Sequence, residues 1–532
     1  MTPRDPSLTS GKVNLFRVFR AFRGYRLPRI RQTVQLLALS AYLFLVVATV
    51  RDAATWLPLD LFLRLDPLAA LVAWLSGRQL TWNFALAGLT LLATFGLGRV
   101  WCGWVCPLGT VLDTTSPRPK ERRRAPAPAW RSAKYFALFA VFVAALLANA
   151  TLMVLDPITI LNRSLAVAIL PGFSWLATAA EVALYPVEFL QGALEAFEKA
   201  FRGNLLASQQ PFYQLNVLLT LFLIAIVALN RVSPRFWCRY ICPLGAMLAL
   251  AARSSRLTPV FSTVCDNCAR CVAACPTGAI AANRDGLDVD PTECTLCLDC
   301  LESCPQKALS LRLKVPVLHR HPYDPSRRTA LLSAVGAVGG LALLRTGPAA
   351  RWDNPWLVRP PGALDTDFIG KCIRCAECVK VCPTNGLQPA LFEAGLEGFW
   401  TPVLVSRLGP CDYSCNACGQ ICPTGAIPPL TLAEKREKII GTAYIDKGRC
   451  LPYANSIPCI VCEEMCPLPD KAVKLDEADA VDAQGRKFRI KLPRVVLETC
   501  IGCGICEYQC PLKGPAAIRV YVPQPSRSAV YG

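Results

Sequence analysis

The chain has 532 residues, 53% of them apolar and only 18% charged, a balance that argues against a purely soluble protein. Lys and Arg total 57 against 38 Asp and Glu, a net +19, but the arginines cluster beside apolar runs, where they set membrane orientation, so nucleic acid is not the expected partner. The two histidines, His319 and His321, sit in a polar linker and no CxxCH occurs, so no haem is expected.

Residues 1–31 read as a basic N-terminal segment. Its stretch from Lys12 to Arg31 (KVNLFRVFRAFRGYRLPRIR) suits an amphipathic helix on the membrane surface and lacks the cleavage site of a signal peptide. Residues 32–255 read as a four-helix membrane domain. The apolar runs Gln32 to Val50, Phe84 to Val100, Tyr135 to Leu155 and Gln214 to Leu229 each approach the roughly 20 residues that a bilayer requires. The basic start of the first and the basic loop Arg118 to Lys134 face the cytoplasm under the positive-inside rule. Arg51 to Trp82 and Asp156 to Tyr213 then fall outside, as helices along the outer membrane boundary. Glu181, Glu188 and Glu195 recur every seven residues there, one stripe of a helix: a solvated face, or proton acceptors.

Residues 256–317 carry two cysteine quartets and are expected in the cytoplasm. In residues 318–350, Ser326-Arg327-Arg328 precedes the apolar run Thr329 to Leu344, a fifth anchor helix resembling a twin-arginine export signal. Residues 351–532, beyond the linker Arg359-Pro360-Pro361-Gly362, carry four quartets and are expected in the periplasm.

Six quartets use 24 of the 28 cysteines, and each fourth cysteine is followed by proline. Cys265, Cys268, Cys271, Cys275 and Cys294, Cys297, Cys300, Cys304 have the C-x2-C-x2-C-x3-C-P spacing that holds 4Fe-4S clusters. Because the fourth cysteine reaches the partner cluster, Cys304 is expected with Cys265, Cys268 and Cys271, and Cys275 with Cys294, Cys297 and Cys300. Cys372, Cys375, Cys378, Cys382 and Cys500, Cys503, Cys506, Cys510 keep the spacing. Cys411, Cys415, Cys418, Cys422 and Cys450, Cys459, Cys462, Cys466 lengthen the first gap, which a surface loop tolerates. A nested pairing, first quartet with last and second with third, is the expected arrangement. The sum is six 4Fe-4S clusters, with iron held by cysteine alone.

The remaining four cysteines form a repeat, RVWCGWVCPLG from Arg99 to Gly109 and RFWCRYICPLG from Arg235 to Gly245, so the membrane helices read as a duplicated hairpin. Cys102, Cys106, Cys238 and Cys242 are expected at the cytoplasmic boundary. They are candidates for a thiol/disulfide redox pair, a metal site or the lining of a quinone site; the ordinary alternative is packing at helix ends beside interfacial Trp101, Trp104, Trp237 and Tyr240.

With four spans, two Cys-x3-Cys-Pro motifs and two quartets, residues from about 30 to 310 resemble NapH, the membrane component associated with periplasmic nitrate reductase. The segment from Ser326 onward, with a twin-arginine start and four quartets, resembles its partner NapG and the ferredoxin-type proteins of methylamine utilisation, the MauN/MauM type. The resemblance implies a quinol dehydrogenase of the inner membrane, with both components fused in one multi-pass chain. Electrons from the quinol pool would pass to a periplasmic terminal reductase or c-type cytochrome. The long segment Asp156 to Tyr213 departs from the pattern. Four-span membrane ferredoxins of copper-oxidase assembly and nitrous oxide reduction share the first part, so a maturation factor and a passive relay fed by a cytoplasmic ferredoxin stand as alternatives. The expected fold class is an α-helical membrane domain with two α+β bacterial-ferredoxin-like modules.

Overall fold

The computed structural model describes residues 27–50, 59–78, 82–117, 128–202, 210–283, 286–313, 335–336, 338–340, 354–363, 365–481 and 487–523. Of the basic segment Lys12 to Arg31 all but the last five residues lie outside them, as do the twin arginines Arg327 and Arg328.

The helical domain is built twice over from the same plan. Its first half contains α1 (Leu27–Val50), α2 (Pro67–Gly77), α3 (Ala85–Leu97) and α4 (Pro107–Thr114). Its second half contains α5 (Ala133–Leu146), α6 (Pro157–Ser164), α7 (Leu170–Leu184), α8 (Glu188–Phe201), α9 (Asn216–Ala228) and α10 (Pro243–Ala252). The sequence Leu-Asp-Pro recurs at 65–67 and 155–157. In both copies the Asp is the N-cap and the Pro takes the first helical position, where its missing N–H costs nothing. Asp66 accepts from the N–H of Leu68 at 2.8 Å, and Asp156 from those of Ile158 and Thr159 at 3.0 and 2.9 Å. In the same way Cys106 and Cys242 occupy the N-cap positions of α4 and α10, each followed by a proline.

Two corrections to the sequence reading concern these helices. Among the described residues, only Pro28–Thr49 and Pro157–Leu184, of 22 and 28 residues, are helices long and apolar enough to cross a bilayer. The other three expected spans are helical but shorter, at 13 residues for α3, 14 for α5 and 13 for α9. The second correction is that Asp156 to Tyr213 begins with a long apolar helix, α6 running into α7, and α6 is buried throughout. Glu181 lies on α7, whereas Glu188 and Glu195 lie on α8, so the three do not share a helix. Pro186, in the break between them, ends the first helix because its ring cannot continue the ladder. Glu181 instead pairs with Arg202, which Glu198 meets at 3.0 Å.

The first ferredoxin module is closed by its ends. Strand β1 (Leu257–Phe261) pairs antiparallel with β4 (Leu309–Leu313), and β2 (Ile280–Asn283) with β3 (Gly286–Val289). In the second module β5 (Leu387–Pro389) pairs with β6 (Pro402–Leu404). Strand β7 (Thr442–Ile445) pairs with β10 (Ile518–Tyr521), bracketing a long hairpin of β8 (Val473–Val481) and β9 (Lys487–Val495).

Both modules pack against the duplicated helices. Against the first, Trp104 Nε1 donates to Leu296 O at 3.0 Å, Arg99 Nη1 to Thr292 O at 2.9 Å, and Lys134 Nζ to Glu293 at 2.5 Å with both side chains buried. Against the second, Asn162 donates to Cys375 O at 2.7 Å, Arg163 to Arg374 O at 3.2 Å and Asn149 to Glu397 at 2.8 Å. One hydrophobic cluster runs from Tyr42 on α1 through all four repeat cysteines to Ile373 and Cys375 of the second module.

Gly103 is the tightest point of the first docking face, since a Cβ there would lie 2.0 Å from the backbone oxygen of Thr295. Backbone cannot rotate away as a side chain can. Gly103→Ala should therefore cost about 1–3 kcal/mol and loosen the first module from the helices. Limited proteolysis of the purified chain should show cleavage near residue 256 that the wild type resists.

Candidate 4Fe-4S centres and the buried cysteine junction

The local backbone of the regularly spaced quartets is preformed for a sulfide-bearing ligand. Positive φ alternates around the second cysteine at Asn267 and Ala269, Leu296 and Leu298, Arg374 and Ala376, and Gly502 and Gly504. Such alternation turns successive N–H groups into one concavity, an anion-binding nest of the kind that suits iron–sulfur sites. The lengthened quartets lack these pairs, and a short helix, Leu451–Asn455, fills the gap between Cys450 and Cys459. N–H groups also point at sulfur: Ala279 N at Cys275 Sγ and Ala308 N at Cys304 Sγ, both at 3.3 Å, and Ala443 N at Cys500 Sγ at 3.4 Å.

The cysteines come together across quartets. In the first module Cys271 neighbours Cys265 and Cys304, while Cys300 neighbours Cys294 and Cys275. In the second module Cys378 neighbours Cys372, Cys375 and Cys422. One cavity of about 400 Å³ is lined by Cys382, Cys411, Cys415 and Cys418. Another of about 400 Å³ is lined by Cys450, Cys459, Cys462 and Cys510, and one of about 350 Å³ by Cys466, Cys500, Cys503 and Cys506. Each set takes three cysteines from one quartet and the fourth from its partner.

The partners differ from the nested expectation. The first quartet exchanges its fourth cysteine with the second, and the third with the fourth. Helix packing decides this, because Glu377–Val381 lies against Ala417–Gln420 and Val461–Glu464 against Ile505–Gln509. The two pairs then meet where Cys411 N donates to Cys503 O at 2.8 Å.

The donor chemistry fits iron. Burial pushes the thiols of Cys294, Cys462 and Cys503 up to about 12 and that of Cys411 up to about 11, because desolvation penalises a bare thiolate. A coordinated cation reverses that penalty and holds the sulfur deprotonated. Among the described residues no three His, Cys, Asp or Glu gather closely enough for a single metal ion, in these quartets included. Cage-like spacing around a cavity suits a multi-iron cluster.

Cys102, Cys106, Cys238 and Cys242 are all buried, and they lie within electrostatic reach of one another. They sit inside the core that also contains Cys375, not on an inner boundary alone. Two functional candidates escaped the sequence reading. Asp66 and Asp156 are fully buried N-caps of α2 and α6, and their carboxyls lie within electrostatic reach of each other. The repeated Leu-Asp-Pro was the signal for them.

Residues 79–126 and 215–260 match a family model described as a 4Fe-4S binding domain, and residues 264–308 one described as a 4Fe-4S dicluster domain. The chain is 38% identical over 209 residues to the methylamine utilization ferredoxin-type protein MauM of Methylorubrum extorquens, covering 37% of this chain and 90% of that protein. It is 34% identical over 197 residues to the ferredoxin-type protein NapG of Escherichia coli, covering 36% and 83%. NapG of Haemophilus influenzae is 32% identical over 223 residues, covering 40% and 77%. No solved structure matches.

The exchanged ligands can be tested by combining substitutions. Residues that serve one centre should be non-additive. Cys372→Ser with Cys422→Ser should lose about as much iron as either alone, whereas Cys411→Ser with Cys422→Ser should lose about twice as much. Iron and acid-labile sulfide analysis reads both.

Proposed function

The chain belongs to the family of ferredoxin-type iron–sulfur electron-transfer proteins that includes MauM and NapG, and from that premise we propose that it is a membrane-bound quinol-oxidising relay. In this reading a NapH-like membrane part and a NapG-like part are fused. Electrons leave the quinol pool, pass through six 4Fe-4S clusters and reach a reductase or c-type cytochrome on the periplasmic side.

The observation that carries the reading is the contiguity of the cysteine sets. The duplicated helices touch both modules, and each cysteine set of the second module adjoins the next through an exchanged ligand or the contact between Cys411 and Cys503. When bound, the clusters supply one-electron chemistry that splits a two-electron donor into single steps. The chain supplies position, low polarity and proton acceptors.

A membrane setting is supported by the outward apolar side chains of α1, α3 and α9. Leu36, Leu37 and Phe44 on α1, Leu89 and Leu92 on α3, and Val217, Leu221 and Ile224 on α9 are all exposed. Apolar surface of this extent marks contact with lipid or another apolar partner. Quinol oxidation releases two protons, and the buried Asp66–Asp156 pair is suited to receive one of them close to Cys242.

A second reading is favoured by one observation. Cys268 is the one exposed cysteine among the described residues, so the first module presents a centre to solvent. A soluble cytoplasmic ferredoxin could deliver electrons there.

Anaerobic addition of a short-chain quinol to the iron-loaded chain in liposomes should bleach its visible absorbance. Asp156→Asn should slow that bleaching by about 10²-fold, the scale of a lost general base, with dithionite still reducing every centre. Bleaching by reduced ferredoxin but not by quinol would contradict quinol oxidation and support the second reading.

A further inference from the structure

We propose that Arg163, a residue of the helical domain, raises the reduction potential of the centre that Cys372, Cys375, Cys378 and Cys422 would hold, and so draws electrons from the helical domain into the second module. The proposal rests on the reading that the quartets hold 4Fe-4S clusters.

Arg163 stands in the last turn of α6 with its side chain fully buried. No carboxylate holds it there. Arg31, Arg99 and Arg235, which are also buried, each meet a carboxylate, at 3.1, 3.5 and 2.6 Å. Among the described residues Arg163 meets none. Its Nη1 donates to Arg374 O at 3.2 Å and its Nη2 to Val154 O at 3.4 Å, both uncharged acceptors. Its guanidinium lies 3.8 Å from the centre of the Trp400 ring, and its Nε has no partner among the described residues. The charged or titratable groups within its electrostatic reach are Arg374, Cys375 and Asp156. Asp156 is already engaged as the N-cap of α6, accepting from Ile158 and Thr159. A buried cation needs an anionic partner, and the sulfur side of Cys375 is the one left to supply it.

A second guanidinium serves the same loop. Arg374, between Cys372 and Cys375, is 1% exposed, and its Nη1 folds back on Cys372 O at 2.7 Å. Its other donors reach Phe399 O at 3.1 Å, Thr151 Oγ1 at 2.9 Å and Glu397 O at 2.6 Å, again uncharged acceptors. The Glu397 carboxylate, within its electrostatic reach, accepts from Asn149 at 2.8 Å. No other quartet has a charged residue at the place of Arg374: the residue before the second cysteine is Asn267, Leu296, Ser414, Pro458 or Gly502.

The consequence is electrostatic. An iron–sulfur cluster gains one negative charge on reduction, and a fixed cation beside it favours the reduced form, the more so where water is excluded. One electron is accepted and one is passed on, and no bond is made or broken. Because Arg163 belongs to the helical domain and the cysteines to the second module, the potential depends on docking. Asn162, the residue before Arg163, fixes that contact by donating to Cys375 O at 2.7 Å. The helical domain thus holds the ligand loop and charges it at the same point.

The test is a redox titration of the full-length, iron-loaded chain, followed by low-temperature EPR, with iron content measured on each variant. Arg163→Gln should keep its iron and shift one component. At that component's wild-type midpoint the ratio of reduced to oxidised centre should fall about tenfold, which is about 59 mV for a one-electron couple. Arg163→Met, whose apolar stem still covers Trp400, should shift the same component in the same direction, and Arg163→Lys, which restores the charge, should bring it most of the way back. Midpoints unmoved in the two uncharged variants, or moved equally by Lys, would overturn the proposal alone. Loss of a centre's iron by both uncharged variants would make Arg163 a structural support and would overturn it as well. A wild type without iron would remove the cluster reading of the modules and this proposal with it.

Discussion

Sulfur ligands buried away from water must be matched by positive charge, and this constraint organises the chain. A bare thiolate in these interiors is so poorly solvated that burial alone drives the thiols toward their protonated form. Bound iron would remove that penalty inside a quartet. Beyond the iron, N–H groups aimed at Cys275, Cys304, Cys500 and Cys242 share the remaining negative charge. At the helical junction the task passes to Arg99 and Arg235, whose own burial is offset by Glu293 and Asp113. The Arg99–Glu293 bridge also fastens the first module, because Glu293 belongs to it and also binds Lys134.

Duplication is what lets one small helical domain serve two modules. Each half brings an Asp-Pro start of a buried helix and a Cys-Pro start of another; in all four the proline fixes the first turn, and the side chains of Asp66, Asp156 and Cys242 cap theirs. Short helices follow from this plan. With α3 and α9 at 13 residues each, the two modules come within reach of a common core.

Part of the cysteine grouping was legible in the sequence because spacing is a local property: Cys271 lies near Cys265 and Cys304, and Cys300 near Cys294 and Cys275, as the spacing implied. Partner choice in the second module was not legible. Spacing is silent on which helix packs on which, and the contact of Glu377–Val381 with Ala417–Gln420 settles the exchange of Cys382 and Cys422. The glutamate stripe misled because seven-residue periodicity was carried across Pro186, a residue that ends a helix. Asp66 and Asp156 are marked in the sequence only by the repeated Leu-Asp-Pro, and their burial depends on packing that the repeat does not state. The repeat of Cys-x3-Cys-Pro was visible in the chain, but only folding brings its two copies into one buried set.

The central claim is that electrons have a continuous route from the first module, through the helical junction, to the second. The direct measurement uses the iron-loaded chain in liposomes, with a membrane-impermeant reductant enclosed with the first module and oxidised cytochrome c outside. The account predicts protein-dependent reduction of the external cytochrome. Bleaching of the enclosed centres while the cytochrome stays oxidised would contradict it.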